Sequence, residues 1–299
     1  MKVAVIGGAG RMGSWFVEYF ASRDHSVILT DTKTDAALKV ADAFGAERAD
    51  SIQEAVHDAD YTVICVPIED TGPAILECAS AMRAGSILME ISSVKHLTHA
   101  PMRTAAEMGL RPLSLHPMFG PSAKGLKNNT MVVVPVMDRE EEKALAKSLF
   151  SDAAVIAVEH EEHDRAMAIV LSLTYFMNMA LAGILRDEDI QKLKRLAGTT
   201  FTVQLAVAEG IMAEDPGLVA SLLLENPYTV EYLERYISQA SEIKSLISRG
   251  PDGFERVHES LVDSMEKDPD FRYADERRYR AFRALKTDGN PEKRETEAS

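Results

Sequence analysis

Three polar side chains, Ser93, Lys95 and His116, follow apolar runs that read as buried strands, residues 86–91 and 113–115. In an open parallel sheet, ligands lie beyond the carboxyl ends of the strands, so we expect these side chains to share one sheet edge. The imidazole could exchange a proton with a bound molecule near neutral pH. Two other interpretations stay open. Ser93 and its neighbour Ser92 could cap the next helix, and His116 could be a hydrogen-bonded structural histidine.

A glycine-rich turn lies near the start of the chain, between an apolar run at residues 3–6 and a predicted helix at residues 14–21. Its sequence is Gly8-Ala9-Gly10-Arg11-Met12-Gly13. In this pattern the first glycine makes a tight turn, the second lets the backbone approach a pyrophosphate, and the third lets the helix pack closely on the strand. Amides at the helix start then face the anion, so the sequence predicts a dinucleotide site. The alternative is a doubly wound fold without a nucleotide.

Asp31 ends the next apolar run, roughly 20 residues beyond the glycine turn, where an acidic side chain contacts the adenosine ribose in dinucleotide-binding folds. Its carboxylate would repel a 2′-phosphate, so we expect NAD, with NADP as the alternative because Lys33 partly offsets the repulsion. Val66 and Pro67 end the strand at residues 61–66. Their backbone is expected to pass the cofactor, unless Pro67 only ends the strand.

Strands alternate with helices up to about residue 158, which predicts an α/β domain with a Rossmann-type doubly wound sheet over residues 1–158. From residue 159 onward the periodicity is helical, which predicts an all-α domain over residues 159–286 for substrate binding and dimerisation. The polar tail at residues 287–299 is expected to be disordered.

The charge of the chain argues against a nucleic-acid partner. Its 299 residues carry 33 Lys and Arg against 47 Asp and Glu, a formal net charge of −14. Cys65 and Cys78 lie in an apolar strand and a predicted helix, so we expect reduced, buried thiols and a cytoplasmic protein.

Residues 166–185 form an uncharged stretch whose length is near the roughly 20 residues that a membrane span needs. The stretch includes Ser172, Thr174, Tyr175 and Asn178, and charged helical sequence flanks it on both sides. We therefore expect no membrane partner, but a helix buried inside a domain or a dimer, and hence a homodimer through the helical half.

His163 lies near the start of this stretch, and it reads either as a helix cap or as a second-domain contribution to the cleft. His160 and the neighbouring glutamates invite a metal site. A charged helix start that faces water explains the same residues, so we expect no metal.

Four segments together resemble the prephenate and arogenate dehydrogenases of tyrosine biosynthesis. They are the glycine turn with Ile6, the segment Glu90-Ile-Ser-Ser93-Val-Lys95, the segment Leu115-His116-Pro-Met-Phe-Gly-Pro121, and His163-Asp164 ahead of Leu173-Thr174-Tyr175-Phe176. The resemblance covers nearly the whole chain. It implies a Rossmann domain, a helical domain that forms most of a homodimer, and prephenate or arogenate as substrate.

The resemblance also implies roles for single residues. His116 would accept the proton of the substrate's ring hydroxyl, Ser93 would hydrogen-bond the same group with Lys95 close by, and His163 and Tyr175 would contact the substrate. Hydride would pass to NAD, and prephenate would lose its ring carboxylate as CO2 to give 4-hydroxyphenylpyruvate. The rate should then rise with pH near the ordinary imidazole pKa, about 6.5.

The chain departs from the family pattern at three places. Glu90 stands where Asp is usual, Tyr175 stands where many members have His, and residues 220–228 contain no Arg to match the one that binds the ring carboxylate. The partner of that carboxylate stays open among five basic residues: Lys95, Lys124, Lys127, Arg165 and Arg235.

Two other functions fit part of the pattern. The β-hydroxyacid and 6-phosphogluconate dehydrogenases share the Rossmann domain and a similar loop, but they use a Lys base on the long helix, and residues 166–185 contain no Lys. A non-catalytic dinucleotide-sensing protein would keep the glycine turn, but it has little use for Ser93, Lys95 and His116 at one sheet edge.

Overall fold

The computed structural model describes residues 1–249 and 253–287, and the chain divides into two compact units. The first unit comprises Met1–Ser172 and Pro216–Thr229, and the second comprises Leu173–Asp215 with the described residues from Val230 onward. The domain limits expected at residues 158 and 286 stay predictions. Thr287 ends the last helix, and the rest of the tail predicted as disordered lies outside the described residues.

In the described part of the chain, the first unit is built on an eight-stranded sheet. Its strands are β1 (Lys2–Ile6), β2 (Ser26–Thr30), β3 (Glu47–Arg48), β4 (Tyr61–Ile64), β5 (Ile87–Glu90), β6 (Arg111–Pro117), β7 (Thr130–Val133) and β8 (Ala154–Ala157). Their order is β3-β2-β1-β4-β5-β6-β7-β8, and the pairs are parallel except β6 with β7. The order from β3 to β6 is that of dinucleotide-binding sheets, which confirms the predicted fold class.

Helices cover both faces of this sheet. Those before residue 158 are α1 (Arg11–Ala21), α2 (Thr34–Phe44), α3 (Ile52–Val56), α4 (Ile68–Ala81), α5 (His99–Glu107) and α6 (Arg139–Leu149). Successive residues of β1 enter opposite cores: Val3 and Val5 pack in the cluster that contains Phe16, and Ala4 packs in the cluster that contains Ile75. A strand buried on both faces needs apolar residues at every position, which explains the continuous apolar runs.

The glycine turn joins β1 to α1, and its first residue, Gly7, has a left-handed backbone with a φ of 77°. A Cβ on Gly7 would lie 2.7 Å from the carbonyl oxygen of Cys65. Gly8, to which the sequence analysis assigned the tight turn, lies within the turn that the N–H of Gly10 closes on the carbonyl oxygen of Gly7, but the left-handed backbone is at Gly7. Gly8 is also required for packing, because a Cβ there would lie 2.7 Å from Cβ of Leu29.

Two elements near the expected ligand edge differ from their predicted limits. Strand β6 extends to Pro117, so His116 lies within the strand, paired with Val132 of β7, and not beyond its end. The extra length comes from the antiparallel pairing with β7, which no local pattern reveals. Strand β4 ends at Ile64 and not at Val66, and α4 begins at Ile68, so Pro67 lies in a short loop and directly precedes the helix.

The later helices are α7 (His160–Met167), a π-helical turn at Ala168–Leu173, α8 (Thr174–Leu185), α9 (Ile190–Leu196), α10 (Thr199–Met212), α11 (Pro216–Leu224), α12 (Thr229–Arg249), α13 (Phe254–Met265) and α14 (Ala274–Thr287). Helices α9 and α10 are separate, because Ala197 adopts an extended conformation before Gly198. The described residues after residue 158 contain no strand, as predicted.

The continuous helix His160–Leu185 is long and apolar enough to span a membrane by length and composition, with a mean hydropathy of 1.9 over its most apolar window. Only 22% of that window is buried inside the chain. Ile169, Val170 and Ile184 are among its exposed apolar residues. One chain therefore does not give this helix the cover that a buried helix needs, and cover by a second copy stays a prediction.

The closest packing at the glycine turn yields a stability prediction. A Cβ on Gly13 would lie 2.1 Å from the carbonyl oxygen of Gly7, so Gly13→Ala must displace backbone. We expect the free energy of unfolding to fall by about 1–3 kcal/mol in urea titrations. Gly210→Ala is the control, since Gly210 is exposed within α10 and its Cβ would meet nothing within 4 Å. Equal stability of Gly13→Ala and wild type would contradict the prediction.

Candidate active site

His116 and His163 contact each other at the carboxyl edge of the sheet. His116 is 4% exposed at the end of β6, and His163 is 1% exposed in the first turns of α7. Nδ1 of His116 lies 2.9 Å from Nε2 of His163. The N-cap of α7 is Glu159, so His163 is not a helix cap, and its side chain points at the predicted base.

Asp164 ties the start of α7 to the loop that follows β5. Its Oδ1 lies 2.8 Å from Nδ1 of His163 and accepts the backbone N–H of Lys95 at 2.9 Å. Its Oδ2 accepts the backbone N–H of His96 at 2.8 Å. Asn226 holds the same turn from the other side, because its Nδ2 donates to the carbonyl oxygen of Asp164 at 2.7 Å. The sheet edge and the helix start are thus joined through one buried carboxylate.

The side chain of Lys95, expected close to the substrate hydroxyl, points into the protein. Its Nζ is fully buried and donates to Oε1 of Glu90 at 2.7 Å and to the carbonyl oxygen of Leu115 at 2.6 Å. The hydroxyl of Ser114 also donates to Glu90, whose Oε2 accepts the backbone N–H of Ser92 at 2.8 Å. This ion pair joins β5 to β6 beside His116. Because its ammonium is buried and already paired, Lys95 links the two strands and is a poor partner for a substrate carboxylate.

The two serines after β5 have different surroundings. The hydroxyl of Ser92 donates to the carbonyl oxygen of Val94 at 2.9 Å, which closes the loop. Ser93 is half-buried, and its hydroxyl makes no hydrogen bond to the described residues. The N-cap position of α5 is Thr98, so neither serine caps that helix. Ser93 is therefore the hydroxyl of this loop that can bind a ligand.

The protonation states follow from burial. Burial, followed by the neighbouring His163 and Lys95, holds the pKa of His116 well below its usual value. Burial also lowers the pKa of His163, although its hydrogen bond to Asp164 opposes the shift. Burial would raise the pKa of Asp164, but the hydrogen bonds from His163 and from the amide of Lys95 prevail and lower it. At neutral pH this cluster contains two neutral imidazoles and an ionised carboxylate.

The glycine turn and Asp31 line the same edge on the other side of β4. Oδ2 of Asp31 accepts the backbone N–H of Ala9 at 3.0 Å, and Oδ1 accepts that of Lys33 at 2.9 Å. Gly10 is exposed at the turn, and a Cβ there would lie 3.2 Å from the carbonyl oxygen of Gly7. The turn is thus a backbone cradle that side chains would fill, as a pyrophosphate site requires.

The remaining predicted cofactor residues surround this cradle. Arg11 is exposed, Met12 is half-buried, and Val66 approaches Gly7, whose added Cβ would lie 3.1 Å from Cγ1 of Val66. Pro67 is exposed where α4 begins. The order β2, β1, β4, β5, β6 therefore places Asp31, the glycine turn, the Val66 loop, the Ser93 loop and His116 in sequence along one edge.

Some predicted site residues are not brought together. Tyr175 lies on α8 in the second unit, and its contact with substrate stays a prediction. Among the described residues, no group of three or more His, Cys, Asp or Glu side chains is arranged to hold a metal ion. Lys124, Lys127, Arg165 and Arg235 are exposed, and the guanidinium of Arg165 lies 4.2 Å from the ring centroid of Tyr228.

The sequence matches two family profiles. The profile described as prephenate dehydrogenase, nucleotide-binding domain, matches residues 20–178, which is more than half of the chain. The chain belongs to the prephenate dehydrogenase family. The profile described as prephenate dehydrogenase, dimerization domain, matches residues 159–267. These matches confirm the resemblance that the four sequence segments indicated.

Curated relatives carry related names. The probable arogenate/prephenate dehydrogenase of Methanocaldococcus jannaschii is 28% identical over 265 residues, which cover 86% of this chain and 59% of the relative. The T-protein of Enterobacter agglomerans is 25% identical over 251 residues, covering 83% and 63%. The chain thus spans about three fifths of the length of these relatives.

Solved structures of prephenate dehydrogenase relatives share the fold. Prephenate dehydrogenase from A. aeolicus, in complex with hydroxyphenyl propionate and NAD+, has a TM-score of 0.71 at 19% identity, covering 90% of this chain and 98% of that one. Synechocystis arogenate dehydrogenase has a TM-score of 0.69 at 20% identity, covering 90% and 99%. At these identities the likeness establishes the fold.

Sequence reasoning missed the residues that support the site from within. Glu90, Ser114 and Asn226 received no role, and Asp164 was noted only beside His163. Each is at most 3% exposed. Polar residues inside apolar runs, such as Glu90 and Ser114 in β5 and β6, were the available signal, because a buried polar group needs a partner.

Because the imidazoles of His116 and His163 are buried, we expect the free energy of unfolding to fall as the pH is lowered. Between its lowered folded pKa and its unfolded value near 6.5, each histidine binds more protons in the unfolded chain, so stability falls as the pH falls through this window. The slope is about 1.4 kcal/mol per pH unit for each group. Urea titrations between about pH 5 and pH 7 should show a shallower slope for His116→Gln, but not for His57→Gln, since His57 is exposed. Equal slopes for wild type and His116→Gln would contradict the assignment.

Proposed function

We propose that the chain is an NAD-dependent dehydrogenase that oxidises prephenate with loss of CO2, giving 4-hydroxyphenylpyruvate. Family membership supports the reaction class. The proposal rests mainly on the position of His116, whose buried, neutral imidazole lies on the same sheet edge as the glycine cradle. Such a group can take a hydroxyl proton without being protonated by solvent at neutral pH.

In this mechanism the ring hydroxyl of prephenate donates its proton to Nε2 of His116, while the free hydroxyl of Ser93 hydrogen-bonds the same oxygen. The nicotinamide cofactor supplies the hydride acceptor. Loss of the hydroxyl proton and of the hydride from the same carbon would give a carbonyl conjugated with the ring carbon that bears the carboxylate. The electron pair of the C–CO2 bond would then move into this carbonyl as CO2 leaves, the ring would become aromatic, and the phenolate oxygen would take the proton back from His116. Lys95 has a structural role. Its ion pair with Glu90 and its hydrogen bond to the carbonyl oxygen of Leu115 hold the end of β6, and with it the backbone of His116, in place.

The glycine turn with Asp31 is proposed to hold the cofactor. Amides in the first turn of α1, which begins at Arg11, would face the pyrophosphate, since the amides of Gly8 and Gly10 already donate to carbonyl oxygens of the chain. Asp31 would accept from the ribose hydroxyls. The carboxylate is pre-positioned, because the amides of Ala9 and Lys33 already bind it. Val66 and Pro67 would line the nicotinamide side.

Arogenate is the second candidate, and relatives with either substrate in their names support it. The two molecules share the ring hydroxyl and the ring carboxylate and differ in a side-chain keto or amino group. His116 and Ser93 act on the shared part, so they cannot discriminate. Initial rates with each substrate at matched concentrations separate the two candidates.

Replacement of the base gives the first functional prediction. His116→Asn keeps a polar side chain but removes the proton acceptor, so turnover of prephenate should fall on the order of 10²- to 10⁴-fold. Prephenate binding should survive, and stopped-flow NADH formation measures the rate. Because burial lowers the pKa of His116, the acid limb of the wild-type rate should lie below pH 6.5, lower than the sequence analysis expected, and it should vanish in the variant.

His57→Asn is the matched control, because His57 is exposed and lies in the helical turn after α3. It should retain wild-type turnover. A folded His116→Asn protein with near-normal turnover would move the base to another residue.

Cofactor choice gives a second functional prediction, with NAD preferred to NADP. Asp31→Asn removes the charge that repels a 2′-phosphate, and it should lower the ratio of kcat/KM for NAD to that for NADP by about tenfold. Lys33→Gln should move the ratio the other way. A wild-type rate with NADP that equals or exceeds the rate with NAD would show that Asp31 does not set the preference.

Assembly gives a third prediction, a homodimer through the helical half. The match to a dimerization domain over residues 159–267 and the exposed apolar residues of the helix His160–Leu185 support it. Light scattering at micromolar concentration should give twice the chain mass of 32.9 kDa. Ile184→Glu, which places a charge on an exposed apolar position, should weaken the dimer, whereas Glu188→Gln should not. A monomeric wild type would contradict the proposal.

A further inference from the structure

Every proton in the chain of contacts from Asp164 to His116 can be assigned from its donors and acceptors. An ionised carboxylate only accepts hydrogen bonds. Oδ1 of Asp164 lies 2.8 Å from Nδ1 of His163, so Nδ1 of His163 carries a proton. The opposite arrangement would bring two lone pairs together inside the protein.

The second imidazole follows from the first. His163 is 1% exposed, and burial disfavours the charged ring, so its Nε2 holds a lone pair. That lone pair lies 2.9 Å from Nδ1 of His116, and therefore Nδ1 of His116 is the donor. The remaining nitrogen of His116, Nε2, is left with a lone pair.

We propose that Asp164 and His163 are positioning residues that hold His116 in the one tautomer whose Nε2 can accept a proton. The sequence analysis treated His163 as a substrate contact, whereas here it acts through His116. The role of this tautomer in catalysis rests on the proposed function, whereas the positions of the protons do not depend on that function.

The arrangement also stabilises the product of proton transfer. The hydroxyl O–H bond of the substrate breaks, and a new N–H bond forms at Nε2 of His116. The electron pair of the O–H bond forms the ring carbonyl, and a nicotinamide cofactor bound at the glycine turn would supply the acceptor for the hydride of the adjacent C–H bond. His116 then carries a positive charge. The negative charge of Asp164, connected to it through the hydrogen bonds of His163, compensates this charge in a site of low polarity.

The carboxylate itself is fixed by backbone. The amides of Lys95 and His96 bind one oxygen each, and these amides belong to the loop that also carries Ser93. The proposed hydroxyl contact and the tautomer of His116 are therefore set by the same few residues. A displacement of the loop would change both together.

Nuclear magnetic resonance tests the proton positions without substrate. Long-range correlation of ring protons with nitrogens in 15N-histidine-labelled protein distinguishes an imidazole protonated at Nδ1 from one protonated at Nε2. In the wild-type protein at neutral pH, we expect His116 and His163 both to be protonated at Nδ1. A wild-type His116 protonated at Nε2 would overturn the inference, even if every variant failed to fold.

Two substitutions at one position separate positioning from packing. His163→Leu fills the space but removes the acceptor, so part of His116 should move its proton to Nε2. The variant also removes the link through which Asp164 compensates the imidazolium, so kcat should fall on the order of 10²-fold or more with little change in KM. His163→Gln offers an amide oxygen to Nδ1 of His116, and it should restore the Nδ1 tautomer and part of kcat. His99→Leu is the control, since His99 stacks on His160 and does not contact His116. It should leave the His116 spectrum unchanged.

The outcomes distinguish this inference from the proposed function. If His116 has the expected tautomer but the protein oxidises neither prephenate nor arogenate, the positioning role stands and the proposed function is contradicted. An active protein whose His116 tautomer and kcat are unchanged in His163→Leu would keep the function and remove the positioning role.

Discussion

The carboxylate of Asp164 is the contact on which the site depends. It is buried, it accepts two backbone amides from the loop after β5, and it binds the imidazole of His163. An unpaired charge at this depth would be strongly unfavourable, so the loop amides and the imidazole are needed to keep it ionised. The same bonds fix the loop that carries Ser93 and the ring that contacts His116. One ion thus positions two of the groups that the proposed reaction uses.

A second buried ion, the ammonium of Lys95, supports the site from the sheet side. Its pairing with Glu90 and the carbonyl oxygen of Leu115 links neighbouring strands beneath His116. Such pairs give little net stability compared with apolar packing, but the loss of one partner leaves a buried charge uncompensated. The interior therefore holds the strand ends in one arrangement. The sheet supplies the edge, and the buried ions set the positions of side chains along it.

Much of this architecture could be predicted from local patterns. The apolar runs located β1, β2, β4 and β5 because a doubly covered parallel sheet needs apolar residues at consecutive positions. The glycine spacing and Asp31 predicted one sheet edge for the cofactor, and the structure has His116 and the Ser93 loop at that edge. The partners of Lys95, Asp164 and Asn226 could not be predicted, because they lie on segments distant in sequence and no periodicity links them. The left-handed Gly7 was missed since the motif itself begins at Gly8.

In the proposed reaction, His116 presents Nε2 to the substrate hydroxyl at the sheet edge that carries the glycine turn. A crystal structure of the protein with NAD and 4-hydroxyphenylpyruvate tests it most directly. We expect the phenolic oxygen to lie within about 2.6–3.2 Å of both Nε2 of His116 and the hydroxyl of Ser93, with the nicotinamide ring against the ring carbon that bears this oxygen. A phenolic oxygen held by other residues, with Nε2 of His116 turned away from the ligand, would contradict it.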